Sequence, residues 1–577
     1  MQDCRNKLKR TLQLLCSPIT NNIIFYIAIF CLFSISILFI EYGRCSRMRA
    51  GLEVFSDVYL LCVFVSLFPT FLRRFVKYIL FSLFFFIGFI DMVCYKTMGI
   101  AMSPNILQTW LFTNINETTE AISQYFSLNL LLSPISLFFI LPFLIYILKR
   151  IRFSIPQRLV GILLLITVAS AIYGITNKQY LYHTYTRSSD DDMEEYKEFD
   201  TMTREYLPIY RLLFSLKEIN RFSNMGNLLL ENVKNTTIDS CTVESPLIVL
   251  IIGESYNKYH SSLYGYEKNT TPYQKSMAES GKLIRYNDVI SSYNLTFKSF
   301  QNMLSLYSYE KKGKWYDNPL LMPLFRKAGY EVNFFSNQFC IDKSSAFSDF
   351  IEDMFINNKE LNPYLFDKRN DKTHEFDNQL IDDYLQLCDT SSAKPQLNIF
   401  HFIGIHAEFS KRFPEDWNRF KSDDYYRKDL DSDLKQILAD YDNAILYNDY
   451  VIKNIIDVFT DKDAIIIYVP DHGELIFDNG KEFGRNMTLT KEYIKPQYDI
   501  PFWFYCTDKY VEHHNNIFSK IKNSVDRPFM TDDLPHLLLY LAGIKCKGYD
   551  STRNLIDDSF NSNRKRIIQD EIEYGSW

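Results

Sequence analysis

The sequence predicts a two-part protein: an α-helical membrane domain with five transmembrane helices, then an α/β domain with a mostly parallel central sheet. Long apolar runs lie almost entirely before residue 175, and 577 residues are too many for one domain. From residue 246 onward, short strand patterns alternate with helical patterns, which is typical of parallel sheets. We therefore expect a transmembrane domain over 1–175, a linker with membrane-surface helices over 176–245 and an outer domain over 246–577.

Five apolar runs are candidate membrane spans, at residues 23–40, 58–72, 75–95, 126–148 and 159–172. Any single run could be a buried core helix, but five in succession, separated by basic or polar loops, indicate a membrane domain. Basic residues are concentrated in alternate loops: Arg5, Lys7, Lys9, Arg10, Arg73, Arg74, Lys77, Lys149, Arg150, Arg152 and Arg158. By the positive-inside rule the N-terminus is cytoplasmic, and the chain after about residue 175 lies outside.

Net charge and cysteine spacing do not indicate a nucleic-acid partner or a disulfide framework. The net charge of −6 does not point to nucleic acid, and we expect none as a partner. Five cysteines in the outer part are widely spaced, so no disulfide framework or CxxC metal motif can be assigned.

Five strand patterns organise the outer domain. They are PLIVLIIGES, GYEVNFFSNQ, QLNIFHFIGIH, DAIIIYVPDHGE and IPFWFYC, and helical stretches such as YDNAILYNDYVIKNIIDVF lie between them. Continuous aliphatic runs of this kind are typical of strands that are buried on both faces of a sheet.

Metal-ligating residues follow three of these strands. The first strand ends in Glu254, the third in His401 and His406, and the fourth in Asp471 and His472. The carboxyl ends of parallel strands meet at one edge of a sheet, so these side chains should converge. Carboxylates with imidazoles suit Zn²⁺. The PDHGE stretch alone is equally compatible with a helix-capping Asp beside a surface His.

The order of motifs in the outer domain resembles a known family. GESYNKYHSSLYGYEKNTTP, NDVISSYNLTFKSFQNMLS, HFIGIHAEFSKRFP, YDNAILYNDY and PDHGE are similar to segments of the phosphoethanolamine transferases of the alkaline phosphatase superfamily. That family includes the lipid A transferases and the transferable colistin-resistance enzymes. The five-span N-terminus matches too, so the resemblance covers nearly the whole chain and implies an alkaline-phosphatase-like fold.

The resemblance implies a threonine nucleophile and a zinc site. Thr296 falls on the family's nucleophile, and Glu254, Thr296, Asp471 and His472 fall on its zinc ligands. A threonine hydroxyl is a weak nucleophile that needs metal coordination or a base. Ser255 is the competing nucleophile, and Thr296 could also be a helix N-cap whose helix helps to bind phosphate.

Further positions are implied as substrate-binding residues. His406 falls on a family histidine that binds phosphoethanolamine or a second zinc, whereas His401 closes a strand. Lys343 matches a basic residue near the phosphate. The family's histidine beyond DHGE is missing, so Arg485 or Asn486 could bind phosphate instead. One Zn²⁺ is expected, and a second remains in question.

The loop before the fourth span carries a possible head-group site. The family has a Thr and a Glu four residues apart there, and Thr113 and Glu117 fit that spacing, with Thr109 where the family has Asn. Residues at i, i+4 and i+8 share one helix face. An ordinary amphipathic surface helix has the same pattern.

The function implied is transfer of phosphoethanolamine from phosphatidylethanolamine to an envelope glycolipid, lipid A first, through a phospho-threonine intermediate with release of diacylglycerol. The enzyme would be a monomer in the bacterial inner membrane with a periplasmic catalytic domain. The acceptor could also be a core sugar or another glycan. Two alternatives are a glycerol-phosphate transferase of the lipoteichoic acid synthase type and an inactive membrane scaffold. A sulfatase would need a CxPxR-type motif, which the sequence lacks.

Overall fold

The computed structural model describes residues 2–40, 44–98, 101–103, 106–107, 132–151, 153, 155–186, 205–310, 313–338, 355–486 and 490–576. The chain divides into two compact units, Met1–Phe222 and Ser223–Trp577. Each unit is described separately below.

The regular secondary structure in the described part of the N-terminal unit is α-helical. A helix satisfies its own backbone hydrogen bonds, which an apolar surrounding requires. The helices are α1 (Gln2–Thr20), α2 (Ile23–Phe39), α3 (Arg44–Leu67), α4 (Thr70–Met98), α5 (Ser136–Arg150), α6 (Gln157–Tyr173), α7 (Ile175–Thr186) and α8 (Pro208–Lys234), the last of which continues past the unit boundary.

Two described helical stretches, Arg47–Leu67 and Thr70–Thr97, are long and apolar enough to cross a membrane. Two bent pairs, Arg10–Thr20 with Ile23–Phe39 and Arg158–Tyr173 with Ile175–Tyr182, raise the number to four if each pair is one span. The first part of the predicted fourth span, residues 126–131, lies outside the described part, and residues 136–148 of the span lie in α5. A total of five spans therefore remains a prediction.

The predicted bounds of the second span were wrong. The apolar run 58–72 is interrupted at Pro69: α3 ends at Leu67 and α4 begins at Thr70. A proline disfavours helical geometry in the residue before it, while its own carbonyl can start the next helix. The Pro69 carbonyl accepts hydrogen bonds from the N–H groups of Leu72 and Arg73.

A buried ion pair joins α4 to α8 within the N-terminal unit. Arg211 Nη2 lies 2.6 Å from Asp91 Oδ2, and its Nε donates to Asp91 Oδ1 at 2.9 Å. Both side chains are at most 1% exposed. Ser36 of α2 accepts a third hydrogen bond from Arg211 at 2.9 Å. The Arg211 guanidinium thus links three helices at one point. The buried charges of Arg211 and Asp91 neutralise each other.

The outer unit is built on a seven-stranded sheet. Its strands are β1 (Leu247–Gly253), β2 (Leu283–Arg285), β3 (Glu331–Ser336), β4 (Lys368–Arg369), β5 (Gln396–His401), β6 (Ala464–Pro470) and β7 (Trp503–Cys506). Their spatial order is β2-β7-β6-β1-β5-β3-β4. All five predicted strands are confirmed, with β1, β3, β5 and β6 in parallel pairing.

The sheet is mixed at one edge. The sequence predicts strands that alternate with helices and run mostly parallel, but β7 departs from this pattern. β7 pairs antiparallel with both β6 and β2. Between β6 and β7 the chain forms a two-stranded pairing, Leu475–Ile476 with Phe483–Gly484, and a short helix, then re-enters at the carboxyl end of β6. An antiparallel edge strand on an otherwise parallel sheet is common.

Helices flank this sheet in the described outer unit. β6 is buried at every position, and the long helix Ser432–Phe459 packs Tyr441, Ile445 and Ile452 into the same core. In chain order the helices are α9 (Pro272–Glu279), α10 (Thr296–Met303), α11 (Leu321–Lys327), α12 (Asn362–Leu365), α13 (Leu380–Leu387), α14 (Ser432–Phe459), α15 (Lys491–Tyr498), α16 (Asp508–His513), α17 (Asn515–Asn523) and α18 (Leu534–Ala542).

Removing one member of the buried ion pair should strongly destabilise the N-terminal unit. Arg211→Ala leaves the Asp91 carboxylate buried without its cation, a change that costs about 3–5 kcal/mol in proteins. Thermal unfolding of the detergent-solubilised chain measures the effect. Lys453→Ala is the control, because the exposed Lys453–Asp457 pair should contribute no more than about 1 kcal/mol. Equal shifts for both variants would contradict this role of Arg211.

Candidate functional site

The register of the sheet places two carboxylates side by side. Gly253 at the end of β1 pairs with Pro470 at the end of β6. The next residues, Glu254 and Asp471, therefore leave the sheet together, and both side chains are fully buried. His472 follows directly and is also fully buried. The convergence predicted from the strand ends is present in these three residues.

The three side chains present ligand atoms to one another. His472 Nε2 lies 3.4 Å from Glu254 Oε1 and 3.4 Å from Asp471 Oδ2, and one ligand atom from each residue falls within 4.8 Å of the others. Asp471 Oδ2 and His472 Nε2 are buried and make no hydrogen bond to any described residue. Buried polar atoms are normally satisfied, so these two point to an absent partner.

His472 has the protonation state that a metal ligand needs, with a proton on one ring nitrogen and a lone pair on the other. Its Nδ1 lies 2.7 Å from the Gly473 carbonyl, which can only accept, so Nδ1 carries the proton and Nε2 presents its lone pair. Burial, with a smaller effect from Arg485, lowers the pKa of His472 to about 4, so the ring is neutral at pH 7. A Cβ on Gly473 would lie 2.3 Å from the Pro496 carbonyl oxygen, so glycine is required for this turn.

Glu254 and Asp471 cannot both be ionised easily, because the positive charge near them does not balance two buried negative charges. Burial and the neighbouring Glu254 raise the pKa of Asp471 well above its usual range. Burial opposes ionisation of Glu254 too, but His472 and Arg485 together hold the pKa of Glu254 below its usual range. Arg485 Nη2 lies 2.9 Å from Glu254 Oε1. Without a metal one carboxyl therefore keeps a proton, which a divalent cation would displace.

Thr296 lies at this cluster. Its Oγ1 donates a hydrogen bond to Glu254 Oε2 at 3.2 Å, and the residue is half-buried. Thr296 is the first residue of α10 and not its N-cap, since that position belongs to Leu295 and carries no side-chain cap. The alternative in which Thr296 caps a helix is thus excluded, and the hydroxyl is turned to the carboxylates instead.

Two more side chains, Gln338 and Ser255, hold Glu254 in place. The sequence-based predictions did not include Gln338, and they did not assign this role to Ser255. Gln338 donates from Nε2 to Glu254 Oε2 at 2.8 Å and to the Phe402 carbonyl at 2.7 Å. Ser255 donates to Glu254 Oε1 at 2.6 Å. Gln338 lies two residues beyond the end of β3, and this position near a strand end is the one sequence signal that could have drawn attention to it. The sequence indicates Ser255 as a rival nucleophile, whereas in the structure it orients Glu254.

His406 lies in the loop after β5. Burial lowers the pKa of His406 to about 3, with opposing smaller effects from the charges of Glu254 and Arg485. Its Nδ1 is buried and has no hydrogen-bond partner among the described residues. Asp377 fixes this loop by accepting from the Ile403 N–H at 2.9 Å and the Gly404 N–H at 2.8 Å.

Other predicted residues lie elsewhere or outside the described part. His401 packs in the core against Phe300, with ring centroids 4.7 Å apart, which agrees with a strand-closing role. The backbone N–H of Asn486 donates to Gln497 Oε1 at 2.8 Å, a contact that holds its loop. Thr109, Thr113, Glu117 and Lys343 are outside the described residues.

The donor set fits zinc. Two carboxylates, a neutral imidazole and a hydroxyl form an oxygen-rich set with one nitrogen, which Zn²⁺ accepts in tetrahedral sites. The two buried atoms without partners belong to this set. Glu254, Thr296, Asp471 and His472 are thus the residues that would hold the ion.

Comparison with known proteins agrees with the fold. A profile of the sulfatase family matches residues 246–544, more than half of the chain. The phosphoethanolamine transferase EptC of Escherichia coli O18:K1:H7 (strain RS218 / NMEC) is 27% identical over 493 residues, covering 82% of this chain and 81% of that protein. The Kdo(2)-lipid A phosphoethanolamine 7''-transferase of Escherichia coli (strain K12) is 25% identical over 373 residues, 62% of each chain.

Two solved structures are similar. The C-terminal periplasmic domain of EptC from Escherichia coli in complex with Zn superposes with a TM-score of 0.51 at 26% identity, covering 59% of this chain and 95% of that one. The integral membrane lipooligosaccharide phosphoethanolamine transferase A of Neisseria meningitidis gives a TM-score of 0.58 at 16% identity, covering 92% and 97%. The second likeness concerns the fold alone. The predicted alkaline-phosphatase-like domain with an N-terminal helical region is thereby confirmed.

A methyl group at Gly404 should disturb zinc binding. Gly404 has φ of +52°, and an added Cβ would lie 3.0 Å from the Glu254 backbone nitrogen and 3.1 Å from its Cβ. Gly404→Ala should push Glu254 out of position and lower the zinc content of the purified chain. Gly281→Ala is the matched control, because Gly281 also has positive φ (+75°) but open space at its Cβ. Equal zinc content in the two variants would contradict the close packing inferred here.

Glu474 should make the stability of the metal-free protein depend on pH. Burial raises the pKa of Glu474 from 4.5 to about 7. The folded state keeps this proton over that range while the unfolded state releases it. The contribution of protonated Glu474 to the free energy of unfolding is therefore complete below about pH 4.5 and is lost as pH rises through about 7. The loss is on the order of 3 kcal/mol.

Replacing Glu474 with a neutral residue of the same size tests this. Glu474→Gln, studied with a zinc chelator, should show a flatter decline of the melting temperature between pH 5 and pH 7 than the wild type. The exposed Glu482 provides the control, and Glu482→Gln should keep the wild-type profile. A wild-type profile for Glu474→Gln would show that Glu474 is ionised in the folded state.

Proposed function

The chain belongs to the sulfatase family, and from this premise we propose that it transfers phosphoethanolamine from phosphatidylethanolamine to an envelope glycolipid, with lipid A as the first candidate acceptor. The single observation that carries the proposal is the position of Thr296, whose Oγ1 lies 3.2 Å from Glu254 Oε2 at the edge of the buried ligand cluster. The names of the relatives support the substrate class. We propose a transferase that depends on one zinc ion.

Thr296 is the nucleophile in this proposal. Its oxygen attacks the phosphorus of the donor, the bond from phosphorus to the diacylglycerol oxygen breaks, and diacylglycerol leaves with the proton that Thr296 gives up. The oxygen of an acceptor hydroxyl or protonated phosphate then attacks the same phosphorus, the bond to Thr296 breaks, and the acceptor's proton restores the Thr296 hydroxyl. A Zn²⁺ ion held by Glu254, Thr296, Asp471 and His472 would lower the pKa of the Thr296 hydroxyl and polarise the phosphoryl oxygen.

The chain's other residues orient these steps. Glu254 accepts the hydrogen bond of Thr296 and so aims the hydroxyl. Gln338 and Ser255 hold that carboxylate in turn. Arg485 is a permanent cation 2.9 Å from Glu254, and its guanidinium can bind phosphoryl oxygens as a planar fork. We assign to Arg485 the place of the family's missing histidine, which is why one zinc ion suffices in this proposal.

His406, Asn486 and Lys343 complete the proposed phosphate site, with Thr113 and Glu117 proposed for the donor's head group. A neutral His406 can donate or accept one hydrogen bond, and burial keeps it neutral at pH 7. A carboxylate such as Glu117 attracts an ethanolamine ammonium.

The setting is a membrane that holds the donor lipid. The apolar helices of the N-terminal unit support an inner-membrane location, with five spans, a cytoplasmic N-terminus and a periplasmic catalytic domain. The similar domain of EptC from Escherichia coli is a periplasmic domain, which supports the same placement. Adding an ammonium to an anionic glycolipid lowers its negative charge, so binding of cationic peptides such as polymyxin should fall.

A mass measurement on the Thr296 peptide tests the proposal. The purified full-length protein is incubated with phosphatidylethanolamine, digested and analysed for a phosphoethanolamine adduct. We expect the adduct on that peptide in the wild type and in Ser255→Ala, and none in Thr296→Ala. Removing a nucleophile should also lower the rate of diacylglycerol release by about 10⁴-fold or more.

Other outcomes identify other enzymes. A glycerol-phosphate adduct from phosphatidylglycerol would assign the chain to the glycerol-phosphate transferases. An adduct lost in Ser255→Ala and kept in Thr296→Ala would make Ser255 the nucleophile. Bound zinc with neither adduct nor diacylglycerol release would favour the inactive scaffold.

A further inference from the structure

A second cluster of ligand atoms lies at the opposite end of β6. Asp463 directly precedes the strand, which begins at Ala464, whereas Asp471 directly follows its last residue, Pro470. Seven strand residues at about 3.3 Å each separate the two ends by roughly 23 Å. The second cluster is therefore distinct from the site of Thr296.

Two adjacent histidines face this aspartate. His513 ends α16, and His514 lies between α16 and α17. His513 Nδ1 is 2.7 Å from Asp463 Oδ2, and His514 Nε2 is 3.3 Å from Asp463 Oδ1. One ligand atom from each of the three residues lies within 4.8 Å of the others.

The His514 ring of this cluster is held by packing against its own helix. The ring of His514 packs against Tyr510 in a tilted arrangement, with centroids 4.5 Å apart and 34° between the ring planes, and the Tyr510 hydroxyl is hydrogen-bonded to Ser245 at 2.6 Å. Asp463 Oδ1 is buried and makes no hydrogen bond to any residue in the described part of the chain. The packed imidazole of His514 therefore lies beside a buried carboxylate oxygen whose hydrogen-bonding capacity is unused, which points to a ligand there.

The ligand atoms of Asp463, His513 and His514 favour one class of metal ion. Two imidazole nitrogens and one carboxylate oxygen suit Zn²⁺ and its neighbours Co²⁺ and Ni²⁺, whereas Ca²⁺ and Mg²⁺ prefer oxygen only. Bonds of about 2.0–2.1 Å at tetrahedral angles place ligand atoms about 3.3 Å apart. The separation between His514 and Asp463 already has this value. Three protein ligands leave a fourth position for water.

We propose that Asp463, His513 and His514 form a peripheral zinc site that joins the start of β6 to the corner between α16 and α17. The ion takes the place of the proton that the histidines and the carboxylate share, and it forms bonds to one oxygen and two nitrogens. Its role is to stabilise this end of the sheet, away from the proposed chemistry at the other end.

Zinc content tests the proposal with the full-length protein. Protein saturated with ZnCl₂ is desalted, and bound zinc is measured by atomic absorption. The double variant His513→Ala/His514→Ala should lose about one zinc equivalent relative to the wild type. The single variant Asp463→Asn, which keeps both histidines, should show the same loss. Glu512→Gln changes an exposed neighbour on the same helix and should keep the wild-type content.

Cobalt separates this site from the one at Thr296. In the background Asp471→Asn/His472→Ala, Co²⁺ should still give the visible absorption of a four-coordinate ion, and adding His514→Ala should abolish it. Unchanged zinc content in Asp463→Asn, or cobalt absorption that survives His514→Ala, would overturn the proposal. Neither result depends on transferase activity, so the two proposals fail independently.

Discussion

Two buried carboxylates at adjacent strand ends are the constraint on which the outer domain's site depends. Parallel pairing of β1 with β6 forces Glu254 and Asp471 together, and the loops after both strands exclude water. Two negative charges in that position need either a proton or a cation. The protein supplies Arg485 on one side and a neutral His472 on the other, with the lone pair of Nε2 directed inward.

The surrounding residues serve that cluster. Gly473 allows the DHGE turn to approach the Pro496 carbonyl, and Gly404 lets the loop after β5 pass against the Glu254 backbone. Gln338 and Ser255 fix the two oxygens of Glu254, so the carboxylate cannot rotate away from Thr296. Preorganisation of this kind lowers the cost of binding a metal and of aiming a nucleophile.

Much of this arrangement follows from the sequence, because strands that are buried on both faces have an unambiguous apolar pattern. The five strands and the convergence of Glu254, Asp471 and His472 were predicted for that reason. The direction of β7 was not, since an apolar run carries no information on strand polarity. The break at Pro69 was overlooked because the hydropathy of residues 58–72 continues across the proline. Gln338 was missed because an amide is neither a metal ligand nor a titratable group.

The most direct test is anomalous X-ray diffraction at the zinc absorption edge from crystals of the full-length protein. The account predicts an anomalous peak within bonding distance of Glu254, Asp471 and His472, with Thr296 Oγ1 beside it. An empty cluster in zinc-saturated crystals, with the carboxyls of Glu254 and Asp471 hydrogen-bonded to each other through a shared proton, would contradict it.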